Sequence, residues 1–121
     1  MALEDATKEN GCLWVIPGSH KGGVKGRFVL TPQRTTRWAD DVKPSYPGLD
    51  ADEVAARANG YVPLEAKAGT LVMLHGSTVH ASALNTSSKS RAAYSVHFVS
   101  ADTVWEATNW LQKAAPPTPL P

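Results

Sequence analysis

The stretch HGSTVHASALNTSSKSR, residues 75 to 91, gathers His75, His80, Ser82, Asn85 and Arg91 into a short span. An imidazole suits Fe(II) as a ligand, and a guanidinium fork grips a carboxylate through two parallel hydrogen bonds while staying charged throughout the physiological range. A hydroxyl such as that of Ser82 can add one more bond to the same anion. With His80 at a strand end, a turn rich in Asn, Thr and Ser, and Arg91 entering the next strand, the imidazole and the guanidinium would share one mouth of a sheet. That pairing suits a metal and an anion together, and a metal-bound dicarboxylate satisfies both. Taken alone, a histidine with an arginine eleven residues later is as readily an accident of the surface.

Other reactive types weigh less. Cys12 lies in the apolar run CLWVI, where a buried inert thiol is the default, so a thiol nucleophile is disfavoured. His20, in PGSHKGG, reads as a turn histidine or as the lining of a substrate entrance. Trp14, Trp38, Trp105 and Trp110 read as core or lid packing rather than a ligand cage.

The elements that must position these groups are short. A chain of 121 residues makes one domain with a modest core. Lys plus Arg is 12 against 11 Asp plus Glu, with no basic run long enough to track a phosphate backbone, which argues against nucleic acid. One cysteine excludes an internal disulfide framework, and the absence of a long apolar run argues against a membrane span. An intracellular, cytoplasmic protein acting on a small molecule is the expectation.

The runs CLWVI (12 to 16), RFVL (27 to 30), YVPL (61 to 64), TLVML (70 to 74) and RAAYSVHFV (91 to 99) carry strand chemistry between turn residues. In the last, alternation predicts Ala92, Tyr94, Val96 and Phe98 on a core face and Arg91, Ala93, Ser95 and His97 on a polar one. Residues 31 to 49 read as a loop or lid, and 50 to 58 as a short helix with Asp50 and Glu53 in capping-box relation and Val54 and Ala58 on one face. VWEATNWLQ suggests a helical segment with Trp105 and Trp110 packing back, and residues 112 to 121 a proline-rich disordered tail. The pattern is all-β with minor helix, arranged as an antiparallel sandwich or jelly roll, yet with too few strands to be complete.

Two blocks, ALEDATKENGCLWVIPGSHKGG and AGTLVMLHGSTVHASALNTSSKSRAAYSVHF, in this order and at this separation, resemble the C-terminal half of the phytanoyl-CoA dioxygenase family, across roughly residues 2 to 111. The resemblance implies a double-stranded β-helix (cupin-like jelly roll) over 1 to 111, using non-haem Fe(II) and 2-oxoglutarate with O₂. It implies His80 as the distal iron ligand, and Arg91 and Ser82 as the grip on 2-oxoglutarate. His97, Asn85 and His75 are left as candidates for hydrogen-bonding support of those groups. The implied reaction decarboxylates 2-oxoglutarate to succinate and CO₂ and converts a substrate C–H to C–OH.

The family's other two iron ligands come as His-x-Asp. None of His20, His75, His80 and His97 is followed two residues later by a carboxylate. The resemblance thus implies a chain that starts after the proximal ligands and is inactive alone, since one imidazole holds Fe(II) weakly. The alternative is a non-catalytic, truncated jelly-roll module that binds a ligand or another chain, or self-associates, through exposed strand edges.

Overall fold

The computed structural model describes residues 1–39 and 46–112. The chain divides into two compact units, Met1–Lys25 with Tyr46–Ser95, and Gly26–Ser45 with Val96–Pro121. Strands predominate and helix is minor, the balance expected of an all-β chain.

In the first unit, β1 (Leu13–Val15) is the centre of a three-stranded sheet, flanked by β4 (Val62–Leu64) and β5 (His80–Ser82). Both pairings are antiparallel, with Trp14 opposite Pro63 on one side and Ala81 on the other. Pro63 is tolerated because β4 is an edge strand with one side free of ladder bonds. Cys12 and Trp14, two residues apart, send their side chains to one face, where Ala56, Tyr61 and Val79 complete the core. Ile16, Tyr46 and Leu49 pack against it. The Tyr61 hydroxyl stays satisfied in this apolar setting by donating to the Pro47 carbonyl at 2.8 Å.

Helix α1 (Glu53–Ala58) is shorter than the 50 to 58 expected. Its cap is Asp52 rather than Asp50: the Asp52 carboxylate accepts from the Ala55 N–H at 2.9 Å, while Asp50 accepts from the Asp52 N–H. Ala56 is the buried residue, and Val54 and Ala58 are both exposed. Glu53 joins Arg57 one turn on and Lys8 across the unit, both at 2.8 Å. Asn59 and Gly60 stop the helix, Gly60 with φ 87°.

A second set of backbone pairings surrounds Met1–Ala6. Ala6 exchanges both bonds with Ala66, and Ala2 donates to Thr70 and accepts from Gly69. On its other side Leu3 donates to Ala92, and Met1 and Tyr94 exchange bonds. The N-terminal segment is thus a central lane between 66–70 and 92–94.

In the second unit, β2 (Phe28–Leu30) and β3 (Thr36–Trp38) form an antiparallel hairpin with Phe28 opposite Trp38. Their rings meet edge to face at 4.4 Å. Asn109 bridges Val29, and Arg27 pairs with Glu106 at 3.0 Å.

Several expectations are corrected. The loop expected over 31 to 49 contains β3, because Thr36, Arg37 and Trp38 find a partner in β2; residues 40–45 of that stretch lie outside the described residues. Residues 70 to 74 and 91 to 99 form no regular strand, being held only at Thr70 and at 92 to 94 by the Met1–Ala6 lane. A β-strand is made by its neighbour, and past those rows no neighbour is present among the described residues. Tyr94, Val96 and Phe98 are accordingly exposed, not core. VWEATNWLQ forms turns and the Asn109 bridge instead of a helix; Trp105 donates to the Leu111 carbonyl at 3.1 Å, and Trp110 is exposed. The tail beyond Gln112 lies outside the described residues.

Candidate functional site

β5 carries His80 and Ser82 at its two ends, opposite Val15 and Leu13. Residues two apart on a strand share a face, so both side chains project from the same side of the sheet, and both residues are exposed. The His80 Nδ1 lies 2.8 Å from the Thr78 carbonyl oxygen. A carbonyl only accepts, so Nδ1 is the donor in this contact, which makes Nε2 the ring nitrogen free to meet a metal. The segment leading into β5 is pinned where the Val79 N–H donates to Ser19 Oγ at 2.9 Å.

Asn85 builds the turn between β5 and Arg91. Its Oδ1 accepts from the Ser87 N–H and hydroxyl, and its Nδ2 donates to the Lys89 carbonyl at 2.7 Å. Arg91 is half-buried and borders a hollow of about 270 Å³, lined also by Asn10, Gly11, Ala83, Leu84 and Asn85. The backbone on either side of Arg91 is clamped: Glu4 Oε2 accepts from Ser90 Oγ at 2.7 Å and from the Ala92 N–H at 3.0 Å. Those two bonds, the hydroxyl first, hold the Glu4 carboxyl below its ordinary value.

Asn10 completes the clamp from inside. It is buried, its Oδ1 accepts from the Thr7 N–H, and its Nδ2 donates to the carbonyls of Asp5 and Ser90. Glu4, Asn10 and Gly11 went unassigned in the sequence, although they lie in the N-terminal block of the resemblance. No local signal marks them, because only its burial sets Asn10 apart from other asparagines. Gly11 has φ 82°, and a Cβ there would come within 3.0 Å of the Ala83 carbonyl oxygen.

His75 is exposed, its Nδ1 accepts from the Ser77 N–H, and its ring faces His20 with centroids 5.1 Å apart. His97 is exposed in the second unit. Neither His80 nor Ser82 lines the hollow beside Arg91, so the metal-type and anion-type groups occupy consecutive pieces of chain without converging on one cavity. Among the described residues no three His, Cys, Asp or Glu side chains converge in a way that could hold a metal ion. Cys12 is fully buried, and burial raises its thiol pKa, which makes it a core residue and not a nucleophile.

Residues 1–93 match the family model described as Phytanoyl-CoA dioxygenase (PhyH). The chain belongs to the phytanoyl-CoA dioxygenase family. A protein named Phytanoyl-CoA dioxygenase in Arabidopsis thaliana is 46% identical over 121 residues, covering 99% of this chain and 38% of its own length. Phytanoyl-CoA dioxygenase 1 of Oryza sativa subsp. japonica is also 46% identical, over 99% of this chain and 39% of itself. Phytanoyl-CoA dioxygenase domain-containing protein 1 of Mus musculus is 45% identical over 122 residues, 100% of this chain and 39% of its own length. The chain therefore spans about two-fifths of these phytanoyl-CoA dioxygenase relatives. Among the described residues no helix is long and apolar enough to cross a membrane.

Proposed function

We propose that this chain is the portion of a non-haem Fe(II)- and 2-oxoglutarate-dependent dioxygenase that contributes the distal iron ligand and the cosubstrate grip, within a jelly roll that hydroxylates a small organic substrate. The observation that carries the reading is how His80 and Arg91, eleven residues apart, are each held. One is an exposed imidazole whose Nδ1 donates to the Thr78 carbonyl, leaving Nε2 as the open ring nitrogen, and the other an arginine bordering a hollow with its flanking backbone clamped.

The fit to each group differs. Arg91, on the border of a hollow, fits a carboxylate through its guanidinium fork, while the amides of Asn10 and Asn85 hold the surrounding backbone. For iron, His80 fits as one ligand, but the described residues do not make the two-histidine, one-carboxylate set that the metal requires. No step through iron follows from this chain, and alone it is expected to produce no succinate from 2-oxoglutarate. What its residues do is orient: Thr78 sets the His80 tautomer, Glu4 and Asn10 fix the backbone at Arg91, and Ser82 offers a hydroxyl on the His80 side of β5.

The test is a chimaera in which this chain replaces the matched segment of the Arabidopsis relative, titrated calorimetrically with 2-oxoglutarate in the presence of Mn(II) as a redox-silent stand-in for Fe(II). Binding is expected, with His80→Ala abolishing its dependence on Mn(II). Arg91→Ala is expected to weaken it by about a hundredfold, the scale of losing a bidentate charged pair. Equal binding by wild type and both variants would refute the assignment.

A second reading is a non-catalytic module, favoured by the exposed Leu71, Met73 and Tyr94 and by the lack of a metal-ligand set among the described residues. It is expected to show no dependence of 2-oxoglutarate binding on His80 in the same titrations.

A further inference from the structure

β1 and β5 run in a register that sets Val15 opposite His80 and, continued one row, Ile16 opposite Val79. A hydrogen-bonded row of an antiparallel ladder exchanges two bonds. Here one of the two is diverted. The Ile16 N–H donates to the Val79 carbonyl at 3.0 Å, but the Ile16 carbonyl accepts from the Ser19 N–H at 3.2 Å as the chain enters the 3₁₀ turn Ser19–Gly22. The Val79 N–H, left without its ladder acceptor, donates to Ser19 Oγ at 2.9 Å instead. Val79 is buried, so without that hydroxyl its N–H would be stranded.

The same peptide group faces His80. The N–H between Thr78 and Val79 is held by Ser19, and its C=O, that of Thr78, accepts from His80 Nδ1 at 2.8 Å. A peptide unit is planar, so fixing the direction of the N–H fixes that of the C=O and of the ring bonded to it. Thr78 is delivered by a turn in which its N–H donates to the His75 carbonyl at 2.8 Å. His75 strengthens that turn with its side chain, where Nδ1 accepts from the Ser77 N–H at 3.1 Å. A side-chain acceptor bonded two residues on is the geometry of an Asx-turn, here made by an imidazole. The His75 ring also lies against His20, the residue after Ser19, with centroids 5.1 Å apart. All of these groups belong to the first unit.

We propose that Ser19 and His75 are positioning residues for His80, Ser19 through the Thr78–Val79 peptide and His75 through the turn that delivers Thr78. The inference rests on the reading of His80 as an iron ligand. Which ring nitrogen meets a metal is set by the bond the other one makes, and the partners that hold a ligating histidine are worth about 10–100-fold in metal affinity. Removing the Ser19 hydroxyl frees the Val79 N–H to turn, and the Thr78 carbonyl with it, so Nδ1 loses its fixed acceptor. Arg91 is fastened separately, by Glu4 and Asn10, and its grip on a carboxylate is left alone.

Two measurements test this. In the free chain at pH 8, above the ordinary imidazole value of about 6.5, long-range proton–nitrogen correlation reports which His80 nitrogen carries the proton. Wild type and Ser19→Thr, which keeps the hydroxyl, are expected to show the proton on Nδ1, and Ser19→Ala a mixture of both forms. In the chimaera with the Arabidopsis relative, Mn(II) binding is followed without cosubstrate through the paramagnetic resonance of the free ion. Ser19→Ala is expected to weaken it about 10-fold or more, with Ser19→Thr close to wild type. His75→Phe keeps a ring against His20 but no acceptor and is expected to show the same loss, whereas His75→Asn, whose amide oxygen can accept the Ser77 N–H, is expected to retain binding. At saturating Mn(II), 2-oxoglutarate affinity is expected to stay within about twofold of wild type in these variants, because the Arg91 fastenings are independent. The proposal is overturned if Ser19→Ala and His75→Phe leave the His80 form and Mn(II) affinity unchanged. It is equally overturned if Mn(II) and 2-oxoglutarate affinities fall together, the mark of a collapsed site. Should Ser19→Ala not fold, His75→Phe decides between the same outcomes. A wild-type chimaera that binds no Mn(II) would sink the iron reading of His80, while its ring form in the free chain would still decide whether Ser19 and His75 position it.

Discussion

At the scale of residues, the arginine end of the site is held by polar groups that reach it from far away in sequence. Asn10 is buried with both amide atoms engaged, so Asn10→Leu strands the Thr7 N–H and the Asp5 and Ser90 carbonyls. Stranded buried partners cost about 1–3 kcal/mol each, and a total loss of about 2–4 kcal/mol is expected in urea unfolding after partial rescue by water. Gly11→Ala forces a left-handed residue to accept a Cβ against the Ala83 carbonyl oxygen; a loss of about 1–3 kcal/mol is expected, together with weaker 2-oxoglutarate binding in the chimaera. If Gly11→Ala leaves the unfolding midpoint in place, the backbone argument is wrong. His80 stands out as a candidate by its type and spacing within the family motif, whereas Asn10 could not be ranked above any other asparagine until its burial was seen.

At the scale of elements, pairing decides what becomes a strand. CLWVI becomes β1 because β4 and β5 flank it, while the equally β-prone TLVML stays irregular, with no neighbour past Thr70 among the described residues. Tyr61→Phe removes the hydroxyl that ties the residue before β4 to the Pro47 carbonyl and should cost about 1 kcal/mol. The Met1–Ala6 lane is fastened by charge as well. Glu4 is held down by the Ser90 and Ala92 bonds, and Asp5 by the hydrogen bonds from Lys67 and the Ala68 N–H. A depressed carboxylate stabilises the fold fully above its unfolded-state value, near ~4, and loses that contribution as pH falls through the lower folded value. Lys67, raised by Asp5, acts in the opposite range: its contribution is present below the unfolded value of about 10.4 and fades as pH rises through the folded one. Unfolding midpoints measured from pH 5 down to pH 2 should therefore fall, and Glu4→Gln should flatten that slope. An unchanged slope in the variant would show that Glu4 does not contribute to it.

At the scale of the molecule, the first unit has a small core centred on Trp14 and Tyr61, and an apolar strip at Leu71, Met73 and Tyr94 left facing outward. Hydrogen exchange of the free chain should therefore be uneven: slow at Trp14, Ile16 and Ala66, whose N–H groups are engaged, and near the unprotected rate at Leu71 to Leu74. A dye that reports exposed apolar surface, such as ANS, should bind the chain, and Met73→Lys should weaken that binding. Uniformly slow exchange through 71 to 74 would mean that this edge is already covered.

The residue types and spacing between His80 and Arg91, together with the N-terminal block, were enough to place the chain in its family. Alternation and turn residues were enough for β1, β2 and β4, because those signals are local. Only the tertiary structure decided that Asp52 caps the helix, that Thr36–Trp38 pairs with β2, and that Glu4 and Asn10 brace the backbone beside Arg91. It likewise decided that Tyr94 and Met73 stay exposed. The physical reason is shared: caps and clamps depend on which of several suitable side chains arrives, and strands and cores depend on a neighbour whose presence no local pattern encodes.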